Sequence, residues 1–147
     1  MNVIGIIGSP RRGGNTELLT RRVLDVVQEE GMETELVTLA GRDIRPCNAC
    51  GVCTREETCT IPDDFLPLYE RMKAADGIII STPVYNGSAT ALCKCLLERS
   101  SYISTQNGKV FAGKAGGPLV VGRRAGHNFT LAQLLFWYFN QGVFIAP

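Results

Sequence analysis

Short apolar runs alternate with stretches of helical periodicity along this chain, and that alternation constrains the fold more than any other feature. Val3-Ile4-Gly5-Ile6-Ile7 contains no polar residue, as expected of a strand buried on both faces. Over residues 15–30 the pattern changes. Leu19, Val23, Val26 and Val27 fall on one helix face, with Arg21, Arg22, Asp25 and Glu29 on the other. Asn15 is expected to cap this helix and Gly31 to end it. Residues 33–39 alternate polar and apolar, which fits an edge strand. Pro62 is expected to open a second helix running to about residue 74, with Asp63 and Asp64 in its first turn, where the helix dipole favours them. Residues 77–80, 119–121 and 143–145 read as further strands, and residues 89–99 and 128–140 as further helices.

Strands that alternate with helices imply a parallel sheet covered on both faces. The expected architecture is α/β: a doubly wound, five-stranded parallel sheet in the flavodoxin-like order 2-1-3-4-5. It forms a single domain over residues 1–147, with a compact cysteine loop at about residues 45–61, after the second strand. No helical pattern follows residues 143–145, so a closing C-terminal helix is expected to be absent. Part of one sheet face then lies open unless a partner covers it. A chain of 147 residues can bury one core without disulfide staples. The formal charge of +1 argues against a basic nucleic-acid reader. The longest apolar run, residues 134–139, is too short to span a bilayer, and no basic stretch leads into an apolar one at the N-terminus. The expected location is the cytoplasm.

In such sheets, ligands bind beyond the carboxyl ends of the strands. The loop after the first strand, Gly8-Ser9-Pro10-Arg11-Arg12-Gly13-Gly14-Asn15-Thr16, combines tight-turning glycines, short donors and two arginines at a helix start. That chemistry fits a phosphate; the alternative is a glycine-rich turn without a ligand. A Walker loop is excluded because Gly14 is followed by Asn15 rather than by Lys and a hydroxyl residue, and Gly-x-Gly-x-x-Gly is absent. The loop has no cysteine nucleophile for a phosphatase, and the first strand ends without the carboxylates of a response regulator. The loop after the third strand, Pro83-Val84-Tyr85-Asn86-Gly87-Ser88, offers Tyr85 as a flat surface and Asn86-Gly87 for a turn. Gly122, Arg123 and Gly126 follow the fourth strand, and the single histidine, His127, reads as a surface or capping residue. A phosphate cradle with two ring-contacting loops suits FMN.

Four of six cysteines lie within thirteen residues, as Cys47-x2-Cys50-x2-Cys53-x5-Cys59. In a cytoplasmic chain this clustering points to a metal or redox site more than to disulfides. Two successive two-residue gaps are the opening of the bacterial [4Fe-4S] ligand run, although there the fourth ligand to the same cluster is usually distant. Zinc, whose structural sites more often use two separated pairs, and metal-free cysteines, reduced or disulfide-linked, remain alternatives. Cys93 and Cys95 lie in an apolar helix and read as buried, inert thiols. Phe136-Trp137-Tyr138-Phe139 reads as core or subunit interface.

Taken together, Gly8-Ser9-Pro10-Arg11 with Gly14-Asn15-Thr16, the four-cysteine loop, Pro62-Asp63-Asp64, Ala75-Asp76-Gly77 and Pro83-Val84-Tyr85 resemble the iron–sulfur flavoprotein family, within the NADPH-dependent FMN reductase group. The resemblance runs over the whole chain, and the cysteine loop is its most specific part. It implies FMN with Ser9, Arg11, Asn15 and Thr16 around the phosphate and residues 83–88 and 122–126 near the ring. Pro10, Gly14, Val84, Asn86, Gly87, Ser88, Gly122, Arg123 and Gly126 complete the expected flavin contacts. It further implies a [4Fe-4S] cluster on Cys47, Cys50, Cys53 and Cys59. A homodimer or homotetramer is implied, each cluster lying near a flavin at a subunit interface, with a ferredoxin-like protein or NAD(P)H as electron donor. Relatives of this family continue past the fifth strand, where this sequence ends. The rival reading is an NAD(P)H-dependent FMN or quinone reductase without a cluster. No side chain stands out as a catalytic acid or base.

Overall fold

The computed structural model describes residues 1–146; Pro147, the last residue of the expected domain, lies outside the described residues. The chain runs β1 (Asn2–Ile7), α1 (Asn15–Glu29), β2 (Glu33–Thr38), α2 (Phe65–Ala74), β3 (Gly77–Pro83), α3 (Ala91–Gln106), β4 (Ala115–Val121), α4 (His127–Gln141) and β5 (Phe144–Ile145). All strands pair in parallel, in the order β2-β1-β3-β4-β5. The chain goes outward from β1 to β2 and returns across β1 to β3, so the topological switch lies between β1 and β3.

The fully buried Ile4, Ile6, Ile78 and Ile80 form one core with Phe65, Tyr69, Met72, Leu96, Leu134 and Trp137 from α2, α3 and α4. The opposite sheet face packs on α1 through Thr20 and Leu24. A groove of about 480 Å³ runs there, lined by Val3, Ile79, Leu119, Val23 and Val27.

The expected inner face of α1 differs, since Leu19 and Val26 are exposed and Thr16, Thr20 and Leu24 are buried. Four expected element ends also needed correction, each for a physical reason. Asn15 is the first residue of α1 rather than its cap; Gly14 holds the cap position, and no side chain caps it. The second helix starts at Phe65, not at Pro62. Asp63 and Asp64 are occupied elsewhere: Asp63 accepts the N–H of Arg45 at 2.9 Å and Asp64 that of Asp43 at 2.9 Å, which clamps the two ends of the cysteine loop together. Third, α3 continues seven residues past the expected stop at Arg99, through a serine- and threonine-rich stretch of poor helix formers. Contacts from α4 satisfy that stretch: Trp137 donates its indole N–H to Ser100 at 3.1 Å, and Gln141 donates to Ser101 at 2.9 Å.

Fourth, β4 begins at Ala115, four residues earlier than its apolar run implies. Gly116 and Pro118 weaken any strand signal there. The glycine is required by a close approach, since a Cβ on Gly116 would lie 2.0 Å from the carbonyl oxygen of Ile78. Pro118, opposite Ile80, brings no N–H to the ladder. The buried Tyr138 hydroxyl enters at this point. It accepts the Ile80 N–H at 2.9 Å and lies 2.9 Å from the carbonyl of Gly117. Burial also pushes the ionisation of this phenol far up, so it stays a neutral donor at any physiological pH. Replacing Tyr138 by Phe leaves the Ile80 N–H unpartnered in the core. Urea denaturation is expected to show a loss of about 1–3 kcal/mol; a variant as stable as the parent would contradict this role.

Candidate cofactor cradle and cysteine centre

The loop after β1 turns directly onto the N-terminus of α1. Ser9, Arg11, Gly13, Gly14, Asn15 and Thr16 line a concavity of about 360 Å³ with Pro83, Tyr85 and Val121. The walls thus come from the carboxyl ends of β1, β3 and β4. The loop braces itself: Ser9 Oγ accepts the Arg11 N–H at 3.1 Å, and Arg12 donates to the carbonyl of Ala40 at 2.9 Å. Gly13 donates its N–H to Glu17 at 2.8 Å, and Arg21 pairs with the same carboxylate. These contacts hold the Glu17 carboxyl below its ordinary range, the bond from Gly13 contributing most. The uncapped start of α1 leaves its first N–H groups aimed outward, an arrangement that favours an anion. Gly8 keeps the floor tight, because a Cβ there would meet Cys93 at 2.7 Å.

Of the expected flavin contacts, Ser9, Arg11, Gly14, Asn15, Thr16, Pro83 and Tyr85 line this concavity; the others do not. Pro10 is exposed on the loop's outside. Val84 donates its N–H to Val121 at 2.8 Å, tying the second loop to β4. Asn86 and Gly87, both at positive φ, form a turn closed between Tyr85 and Ser88. Ser88 donates its hydroxyl to Gln133 on α4 at 2.9 Å, so it supports the loop. Gly126 packs against the second loop, the site of a Cβ lying 2.8 Å from Gly87. Gly122 packs under His127, and Arg123 is exposed. Gly13, which the sequence places in the phosphate loop without a role of its own, and Val121 also line the concavity.

The cysteine loop lies against the outer side of α3. Cys47, Cys50, Cys53 and Cys59 line a single pocket of about 240 Å³, together with Glu98, Arg99, Tyr102 and Ile103 of α3. Anchors come from both neighbouring helices. Asn107 donates to the carbonyl of Cys53 at 2.9 Å, and Glu57 accepts from Tyr69 at 3.1 Å and from Lys73 at 2.6 Å. Ala49, between two of the cysteines, has φ of 56°, a left-handed conformation that costs a non-glycine residue roughly 1–2 kcal/mol. Burial raises the Cys53 thiol above its ordinary range, and the neighbouring Cys47, Cys50 and Cys59 add to the rise.

Among the described residues, no three Cys, His, Asp or Glu side chains converge closely enough to hold a single metal ion. A lone zinc needs four sulfurs about 2.3 Å from one point. Four thiols around one pocket are a donor set that could hold a sulfide-bridged iron cluster.

Sequence reading missed what organises this loop. Arg99 is only 2% exposed, in the middle of α3. Its guanidinium meets both oxygens of Asp63, at 2.5 and 3.1 Å, and donates to the carbonyl of Arg45 at 3.0 Å and to Cys59 Sγ at 3.1 Å. It also stacks 4.0 Å from the centroid of the Phe65 ring. Burial opposes the charge on Asp63, but the bonds from Arg99, Arg45 and Phe65 outweigh it and hold its carboxyl below the usual range. The only available signal was an arginine within an apolar helix, which an amphipathic reading assigns to solvent.

Cys93 faces the other way, fully buried under Gly8. Burial pushes its thiol up to about 12. Thiolate is the reactive form, so Cys93 stays protonated and unreactive at pH 8. Iodoacetamide on the folded, metal-free protein at that pH is expected to modify the exposed Cys50 and to leave Cys93 unmodified, as read by peptide mass spectrometry. Equal rates would contradict the packing.

Comparison with known proteins shows the family and the fold. The sequence pattern of the NADPH-dependent FMN reductase family matches residues 1–147. An iron-sulfur flavoprotein of Methanocaldococcus jannaschii is 43% identical over 91% of this chain and 69% of its own length. One from Methanosarcina thermophila is 38% identical over 99% of this chain and 77% of its own length. Among solved structures, the apo form of an NADH:FMN oxidoreductase superposes with a TM-score of 0.71 at 23% identity, covering 99% of this chain and 72% of that one. An archaeal flavodoxin gives a TM-score of 0.68 at 10% identity, covering 100% of this chain and 79% of that one. Both establish the flavodoxin-like fold. No helix among the described residues is long and apolar enough to cross a membrane.

Proposed function

The chain belongs to the NADPH-dependent FMN reductase family, and from that premise we propose that it is an electron-transfer oxidoreductase holding FMN in the β1–β3–β4 cradle and a [4Fe-4S] cluster on Cys47, Cys50, Cys53 and Cys59. The observation that carries this reading is the gathering of all four cysteines around one pocket in a protein that also builds an anion cradle. When bound, FMN exchanges electrons in pairs or singly and an iron–sulfur cluster exchanges them singly. The residues position these groups. The start of α1 and Arg11 attract the phosphate, while Tyr85 and Pro83 offer flat and rigid walls to the ring. The electron donor in this reading is NAD(P)H or a ferredoxin-like protein.

We place the working unit in a homodimer or homotetramer. Helix α3 starts at Ala91 beside the cradle, whereas the cysteine pocket rests on Glu98 to Ile103. At 1.5 Å per residue, that pocket begins roughly 10 Å and ends roughly 18 Å further down the helix. A second copy that brings its own cradle to the cysteine face shortens the path. Phe129, Phe136 and Phe139 on α4 are all more than 60% exposed and supply apolar surface for such a contact.

The test is the visible spectrum of anaerobically purified protein, with iron and acid-labile sulfide measured on the same sample. Flavin bands over a broad brown shoulder, with about four irons per chain, are expected. Flavin without iron after anaerobic reconstitution would replace this reading with a cluster-free FMN reductase. Cys50→Ala is expected to remove the iron and to leave flavin bound. Asn15→Asp sets a carboxylate at the helix start beside the phosphate and should weaken FMN binding by about tenfold or more, with iron content unchanged. An unaltered flavin affinity in fluorescence titration would move the phosphate elsewhere.

A further inference from the structure

We propose that Arg99 is a positioning residue for the cysteine centre: through its N–H···S hydrogen bond it holds the Cys59 sulfur in place as a ligand and raises the reduction potential of the bound cluster. This rests on the cluster assignment above and adds a role for a residue outside the cysteine motif. Nothing in a structural role for the Arg99–Asp63 pair requires the third partner. A carboxylate and a guanidinium satisfy one another through two parallel bonds, and Asp63 already receives both. Yet Nη2 is also turned toward Cys59 Sγ, at 3.1 Å, on the wall of the cysteine pocket.

The site is built for this direction. The Phe65 ring closes one face of the guanidinium, and the carbonyl of Arg45 takes a further N–H. The Nε–H is buried without a partner, so Arg99 accepts an unmet donor in order to sit here. Other sulfurs have longer, uncharged contacts: the Ala49 N–H reaches Cys47 Sγ at 3.4 Å, and Cys50 Sγ lies 3.5 Å from the Thr60 hydroxyl. Arg99 is the one cation among the described residues that is both buried and bonded to a sulfur of this set. One-electron reduction adds one negative charge to the iron–sulfur unit and its thiolates. A fixed, charged N–H donor at a sulfur stabilises that added charge more than it stabilises the oxidised state, which raises the potential. Asp63 neutralises Arg99 when the sulfur has no other demand on it, so the cation can stay buried in the metal-free chain.

Holoprotein labelled with [15N]arginine gives the first readout without any substitution. Pulsed EPR of the reduced cluster is expected to show coupling to an arginine nitrogen, and its absence would overturn the proposal. The second readout is the midpoint potential by EPR-monitored redox titration. Arg99→Lys keeps a charge for Asp63 and loses the fork to sulfur; Arg99→Gln with Asp63→Asn leaves no lone charge buried. Both are expected to lower the potential and to lose the nitrogen coupling. Tyr138→Phe, which weakens the core away from this loop, should leave the potential at the wild-type value. Variants that keep iron, sulfide and the wild-type potential reduce Arg99 to a structural clamp and overturn the proposal. Wild-type protein that takes up no iron on reconstitution overturns the cluster assignment itself, an outcome read before any variant is made.

Discussion

The bidentate contact between Arg99 and Asp63 is the constraint on which the cysteine region depends. Both side chains are essentially fully buried, at 1% and 0% exposed. Removing either partner from such a pair typically costs about 3–5 kcal/mol, because the remaining charge stays buried and uncompensated. Through this one contact, a long loop of little regular structure is tied to the middle of α3. Asp63 and Asp64 meanwhile close the loop at its base by binding the N–H groups of Arg45 and Asp43. The loop can therefore hold a left-handed Ala49 and four clustered cysteines without an α-helix or strand of its own.

The cradle is held together differently. Its parts are close approaches of backbone, made possible where side chains are missing: Gly8 against Cys93, and Gly126 against Gly87. Polar groups in the supporting layer are already spoken for, as Ser88 is by Gln133 and Arg12 by Ala40. The concavity is lined by glycines, short polar residues, one arginine and the flat side chains of Pro83 and Tyr85. This division separates the two centres. One lies at the carboxyl edge of the sheet, at the switch between β1 and β3, and the other lies on the outside of the helical layer. Helix α3 connects them, starting at one and carrying the anchors of the other.

Local pattern was a reliable guide wherever burial alone decides the element. Val3 to Ile7 and Gly77 to Ile80 are strands because an apolar run of that length has to be covered on both faces, and the sheet order follows from their alternation with helices. It was a poor guide wherever a partner distant in sequence supplies what the local residues lack. In the first half of β4, Pro118 brings no N–H, and the Tyr138 hydroxyl supplies a donor 3.1 Å from the Ile78 carbonyl. The second half of α3 is a helix because Trp137 and Gln141 engage its serines. Asp63 reads as a helix-start residue in isolation and becomes a buried counter-ion only once α3 lies beside it.

The same boundary runs through the functional residues. By itself, the sequence determined that a glycine-rich loop opens onto a helix start after the first strand, and that four cysteines sit at cluster spacing after the second. Both are properties of contiguous residues, whose reach along the chain is set by covalent geometry. Only the tertiary structure decided which of those loop residues face the concavity and which brace it. Only the tertiary structure, too, brought Arg99 to Cys59 across forty positions of sequence. A buried charge is tolerable where folding delivers a counter-charge and further acceptors, and no local pattern records which distant carboxylate, carbonyl and sulfur those will be.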